Sequence, residues 1–313
     1  PIFQFIMLSW AWLCVAGVAQ EVCHSPDVVA GYERRIADLE AQVKRFELQR
    51  MEPTSVSVKG EAEHWSVPTF KELYFALYNR TWSKQANIFT EFTNVHEKHL
   101  DWSYPHSALR RTDAGQGYFA TILSQLPLNK KGSPRRPRFI VEVGTFHGGS
   151  AVAMAQELDK IGARKVPILC VDPFTGDLNM WLNKRVWNHV ALRAGRPTIF
   201  EQFMTNVISS QEQYNVSVSH ILPFSVTSIV AARWLLLKKF APDVVFLDSA
   251  HEIDETYMEL VLYWRVLQTG GVMFGDDYKW PSVKLDVDRF VSNYGLQLVL
   301  LSDEMWYVVK PGV

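Results

Sequence analysis

Residues 138–155, Arg-Phe-Ile-Val-Glu-Val-Gly-Thr-Phe-His-Gly-Gly-Ser-Ala-Val-Ala-Met-Ala, constrain the fold more than any other part of this 313-residue chain. Residues 139–143 form a short, β-branched apolar run of the kind found in buried parallel strands; Gly144 breaks it, and from Ser150 the pattern turns helical. The unit is a strand, a glycine turn and a helix start. Such a corner presents unpaired backbone N–H groups and a partial positive charge, and glycines let a ligand approach the backbone. A dinucleotide site wants G-x-G-x-x-G, whereas the glycines here are Gly144, Gly148 and Gly149, with Glu142 inside the strand. Phosphate is therefore not the natural ligand, although a plain strand-to-helix corner would look similar.

From Arg138 onward strands and helices alternate, which predicts a parallel sheet covered on both faces. Strands are expected at 139–143, 167–171, 218–222, 243–247, 271–275, 296–301 and 305–310, with helices between the first six. Only Ser302, Asp303 and Glu304 join the last two, too few for a parallel crossover, so these strands form an antiparallel hairpin. Residues 181–196 read as an insertion after the second strand, with Trp181 and Trp187 as packing or site-lining residues.

Ligands of open α/β sheets bind beyond the carboxyl ends of the strands. Asp172 ends the second strand there, and Leu222-Pro-Phe-Ser225 follows the third. Asp248 ends the fourth and Asp276 with Asp277 the fifth, with His251 three residues after Asp248. Three acids at one sheet edge repel one another unless a cation lies between them, and an oxygen-only donor set suits Mg²⁺.

The acidic strand end followed by G-x-x-x-G-G resembles the first motif of class I S-adenosylmethionine (SAM) methyltransferases. The predicted seven strands with a terminal antiparallel hairpin resemble their Rossmann-like sheet. That resemblance implies a cofactor site at Glu142, Gly144, Thr145, Gly148 and Ser150, with Asp172 on the ribose hydroxyls, Ser225 near the adenine and Asp248 adjoining. The set D-S-A-H-E with G-G-V-M-F-G-D-D-Y-x-W-P is similar to the metal-dependent O-methyltransferases that include the macrolide-sugar and cephalosporin-type enzymes. It covers roughly residues 138–311 and implies Asp248, Asp276 and Asp277 as Mg²⁺ ligands, with Asp248 and His251 catalytic and His251 the base. The acid pair is Asp-Asp where several relatives have Glu-Asp. Asp276 follows Asp248 by 28 positions, which leaves room for one crossover helix. In this reading the cation acidifies an acceptor hydroxyl, and His251, with a pKa near neutrality, takes its proton.

The rest of the chain is read by composition. Residues 1–20 carry no charge and are apolar enough for a membrane anchor or a signal peptide, Gly17-Val-Ala19 fitting a small-x-small cleavage site. Residues 21–63 hold Val29, Tyr32, Ile36, Leu39, Val43 and Phe46 at spacings of three and four: a short coiled-coil stalk able to pair with a second copy, or a single helix on the main domain, then a linker. Residues 64–137 are aromatic-rich and helical in pattern, a cap over the site, and 138–313 are the catalytic domain. The basic run 130–138 reads as a solvated loop. Three cysteines exclude a disulfide framework or zinc cluster, and a net charge of −1 gives no nucleic-acid signal. Asn79-Arg-Thr81 and Asn215-Val-Ser217 match the glycosylation pattern, so with 1–20 the chain is expected in the secretory pathway, lumenal or exported, acting on a glycan or small metabolite.

Other readings fare less well. A serine hydrolase needs G-x-S-x-G, which residues 148–152 lack. A lumenal glycosyltransferase would use Asp286-Val-Asp288, but that triplet sits in a helical pattern rather than at a strand end. A tethered interaction protein with a retired methyltransferase-like domain would have no need of Asp248, His251, Asp276 and Asp277 together.

Overall fold

A computed structural model describes residues 65–95, 117–128, 132, 136–182, 192–214, 220–249 and 251–312, all within the unit His64–Val313. The apolar segment 1–20, the stalk, Trp187 and the Asn215 triplet lie outside these residues. Among the described residues no helix is long and apolar enough to cross a membrane.

Three helices come first: α1 (Phe70–Tyr78), α2 (Ile88–Val95) and α3 (Tyr118–Ser124). Helix α1 starts with a capping box, Thr69 and Glu72 satisfying each other's backbone N–H, and ends on Asn79 in the left-handed region. The α/β part then runs β1 (Ile140–Val143), α4 (Gly149–Lys160), β2 (Ile168–Val171), α5 (Leu178–Leu182), the ribbon β3 (Leu192–Arg193) and β4 (Arg196–Pro197), α6 (Ile199–Tyr214) and β5 (Ile221–Phe224). It continues α7 (Ser228–Lys238), β6 (Val244–Leu247), α8 (Glu255–Val266), β7 (Val272–Gly275), α9 (Pro281–Tyr294), β8 (Val299–Leu300) and β9 (Trp306–Val309).

The main sheet has seven strands in the order β5-β2-β1-β6-β7-β9-β8. All neighbours are parallel except β9, which runs antiparallel to both β7 and β8. The seven strands and the terminal antiparallel hairpin are those expected. Alternation along each strand divides the core in two. Ile140, Ile168, Ile221, Phe246 and Phe274 face α3, α4 and α6, whereas Val141, Leu169, Leu222, Val245 and Met273 face α1, α7, α8 and α9.

Two strands differ from expectation. The third spans 221–224 instead of 218–222 and takes in Pro223. Proline lacks an N–H and is normally read as a stop, but β5 is an edge strand bonded only to β2, where that donor is not needed. The sixth shrinks to Val299–Leu300, with both residues at least partly exposed. Of the expected insertion 181–196, residues 181–182 end α5 and 192–196 enter the β3–β4 ribbon, turned at Ala194 and Gly195 with positive φ, while 183–191 lie outside the described residues.

The helices of the expected cap pack on the flanks of the sheet. Leu73 and Tyr74 of α1 join one core layer, and the Tyr78 hydroxyl donates to the Pro223 carbonyl at 2.7 Å. Phe92 of α2 meets Phe200 of α6 edge-on, and Phe119 and Ile122 of α3 join the opposite layer. Residues 96–116 lie outside the described set.

Candidate active site

The carboxyl edge of the sheet carries, in strand order, Ser225, Asp172, the Gly144 turn, Asp248, and Asp276 with Asp277. Gly144 has φ +82°, and a Cβ there would lie 2.0 Å from the Asp248 carbonyl oxygen. The glycine turn after β1 is therefore pressed directly against the acidic end of β6, which only a residue without a side chain permits.

Beneath that turn Glu142 is completely buried. Its carboxylate accepts from the Thr145 hydroxyl at 2.6 Å and from the Ser150 hydroxyl, so these three predicted residues bond to one another. Burial raises the Glu142 pKa to about 7 against the lowering effect of those hydroxyls. Gly148 sits at the start of α4 with φ +82°, where a Cβ would touch the Phe203 ring at 3.0 Å. Asp172 accepts the amide of Phe146 at 2.8 Å and that of Phe174 at 2.6 Å. Burial raises its pKa and the amides oppose the rise. The Thr145 amide adds to these, and the carboxylate still keeps acceptor capacity for an incoming hydroxyl. Ser225 is exposed beyond β5.

On the other half, His251 lies between two carboxylates: Nδ1 is 3.1 Å from Asp177 Oδ2 and Nε2 is 2.9 Å from Asp277 Oδ2. A neutral imidazole has one N–H, so both contacts are satisfied together only by the imidazolium. Burial works against that charge, but the bonds to Asp177 and Asp277 and the charges of Asp277 and Asp248 outweigh it, raising the pKa to about 10. The expectation of a His251 pKa near neutrality is thus corrected, because two acids rather than one face the ring. The same pairing leaves Asp177 below its usual value despite its desolvation. Asp248 is pushed well up, first by burial and then by the charges of Asp276 and Asp277.

Oxygen atoms of Asp248 and Asp277 and a ring nitrogen of His251 lie within 4.8 Å of one another, a donor set that fits a divalent cation. Asp276, expected as the third carboxylate ligand, stands outside this group. Consecutive residues at a strand end point to opposite sides, and Asp277 takes the cluster side with φ +58°. Asp276 still lines the same small cavity as Asp248, His251 and Asp277, together with Ser249, Thr256, Glu259 and Trp306, and its charge acts on Asp248. There Glu259 accepts from the Ser249 hydroxyl at 2.5 Å, and burial lifts its pKa to about 7.

Sequence reasoning missed Asp177 and Glu259. Asp177 stood at the end of the second-strand motif, but nothing in a loop residue signals contact with His251, 74 positions later. Glu259 is hidden in the apolar pattern of α8. The Asp286-Val-Asp288 triplet is structural: fully buried Asp286 accepts the Tyr257 amide at 3.1 Å and so caps α8, and Asp288 accepts from Tyr278 and Lys284.

Residues 141–278 match a protein family described as "Methyltransferase domain". Among solved structures, similar chains include CalS11, a TDP-rhamnose 3'-O-methyltransferase of calicheamicin biosynthesis, at 18% identity over 55% of this chain and 72% of that one, TM-score 0.39. They also include the O-methyltransferase NovP, at 16% identity over 56% and 72%, TM-score 0.40. A third is an O-methyltransferase from Bacillus cereus, at 13% identity over 56% and 74%, TM-score 0.36. No curated protein sequence matches the chain.

Proposed function

We propose that the domain around residues 141–278, which match a methyltransferase family, is a class I SAM-dependent methyltransferase that transfers a methyl group from SAM to a hydroxyl oxygen of a glycan or small metabolite, assisted by Mg²⁺. The observation that carries this reading is the position of His251 between Asp177 and Asp277, beside Asp248 and the Gly144 turn.

The residues divide the work. Asp172 has lone pairs left to accept the ribose hydroxyls of SAM, and the Gly144–Gly148 turn supplies the backbone over which its amino-acid end lies. Asp248 and Asp277, with His251 beside them, would hold the cation, which supplies positive charge that acidifies the acceptor hydroxyl. Asp177 takes the Nδ1–H of His251 and fixes the ring; a cation held by Asp248 and Asp277 would offset the charges that keep the second proton on the ring, leaving neutral His251 with Nε2 to accept the hydroxyl proton. Asp177 is thus a positioning residue and His251 the base. The uncharged apolar segment 1–20 supports a tethered or exported protein, and the 29–46 seam supports self-association.

The test is methyl transfer from labelled SAM to a panel of hydroxylated acceptors, with added Mg²⁺ and after chelation, for wild type and His251→Gln. A His251→Gln loss of about 10²–10⁴-fold is expected, the usual size of general-base help. Transfer that survives both chelation and His251→Gln contradicts this assignment of the site.

A further inference from the structure

Beside the reactive cluster lies an apolar rim that the chemistry above does not use. Helix α5 begins immediately after Asp177, and none of its five residues is buried. Leu178, Trp181 and Leu182 are 53%, 39% and 74% exposed. The helix is tied to Asp177 at both backbone and side chain: the Trp181 amide donates to the Asp177 carbonyl at 3.3 Å and the Met180 amide to Asp177 Oδ1 at 2.8 Å. The Trp181 indole N–H is committed to the Thr175 carbonyl at 2.8 Å, which fixes the ring and leaves its faces for contact.

A second indole, that of Trp280, lies against His251 itself. The Trp280 ring centroid is 5.1 Å from that of His251 at an interplanar angle of 48°, and the residue is 36% exposed. It is held by its amide, which donates to the Asp277 carbonyl at 2.7 Å, and by Pro281, which opens α9. Each of these tryptophans is therefore tied, backbone amide to backbone carbonyl, to one of the two aspartates whose side chains flank His251.

Aromatic faces in water beside hydrogen-bond acceptors suit a particular partner. A linear polyol satisfies the acceptors but offers no face, and an apolar ring offers a face but no donors. Resting on the methyltransferase reading, we propose that Trp181 and Trp280 are the acceptor platform. The acceptor is a hydroxylated ring, its hydroxyls directed to Asp177, His251 and Asp277 and its flat face laid on an indole. In the transfer the O–CH₃ bond forms as the S–CH₃ bond breaks, the hydroxyl proton goes to Nε2 of His251 in its neutral form, and S-adenosylhomocysteine leaves. Pyranoses and catechols both have this shape, and the test separates them.

The full chain, saturated with S-adenosylhomocysteine, is titrated calorimetrically with methyl α-rhamnopyranoside, with catechol and with glycerol. Trp181→Ala, Trp280→Ala and Trp280→Phe are compared with wild type and with Leu237→Ala, a control on the outer side of α7. The platform predicts that at least one ring probe binds and that glycerol does not. It predicts that an alanine variant weakens the ring probe about five- to tenfold and that Trp280→Phe restores part of the loss, an aromatic contact being worth about 1 kcal/mol. S-adenosylhomocysteine affinity is expected to be the same in all variants. A pyranose-only or a catechol-only response identifies the source. Failure of both ring probes, or ring binding untouched by both tryptophan changes, overturns the platform while leaving the methyltransferase reading intact. Failure of wild type to bind S-adenosylhomocysteine overturns both.

Discussion

Glu142 illustrates how a single buried carboxyl leaves a mark on the stability of the protein. Its pKa of about 7 in the fold exceeds the ordinary 4.5, so the folded state holds a proton that the unfolded chain releases. The stability it allows is fully present below about 4.5 and is lost as pH rises to 7, at up to about 1.4 kcal/mol per unit. Glu142→Gln keeps an acceptor for the hydroxyls and carries no charge. Thermal unfolding of this variant is expected to show a flatter profile between those values, and an unchanged profile contradicts the assignment. At the same scale, Asp177→Asn replaces an anion beside His251 by a neutral amide. The His251 pKa, followed by NMR titration, is expected to fall from about 10, with transfer rate lowered more than cofactor affinity. The carboxylates at strand ends were readable from sequence because an apolar run stopping at an acid is a local pattern. Asp177 and Glu259 were not, because one is a loop residue meeting a distant histidine and the other a charge inside an apolar helix. That Asp277, rather than Asp276, bonds His251 goes with the positive φ of Asp277, which no residue spacing encodes.

Elements, in turn, are held in register by a few unusual contacts. The Gly144 turn and the end of β6 touch backbone to backbone, so Gly144→Ala must displace one of them and place alanine at φ +82°. A loss of several kcal/mol is expected by denaturant unfolding, together with loss of SAM binding if the same turn carries the cofactor as proposed. Asp286 joins α9 to α8 by capping the latter's first turn. Asp286→Ala is expected to cost about 1–2 kcal/mol without changing Mg²⁺ affinity in calorimetry. Reduced Mg²⁺ affinity would instead revive the glycosyltransferase interpretation of that triplet. The seven strands, the parallel sheet and the hairpin were legible because alternating β and α periods and a three-residue link allow few topologies. The edge position of β5 was not, since Pro223 looks like a terminator until its neighbour is known.

For the whole molecule, the sheet edge places two groups side by side, Ser225, Asp172 and the Gly144 turn on one side and Asp248, His251 and Asp277 on the other, which the proposed function assigns to SAM and to the acceptor. Asp177 crosses between them, since it leaves β2 on the first side and bonds His251 on the second. This arrangement predicts that cofactor and cation are bound by separable residues of one edge. The most direct test is calorimetric titration of the protein with SAM, with and without Mg²⁺, beside Asp172→Ala. The account predicts micromolar binding by wild type that Asp172→Ala abolishes. Absence of SAM binding under both conditions would contradict it.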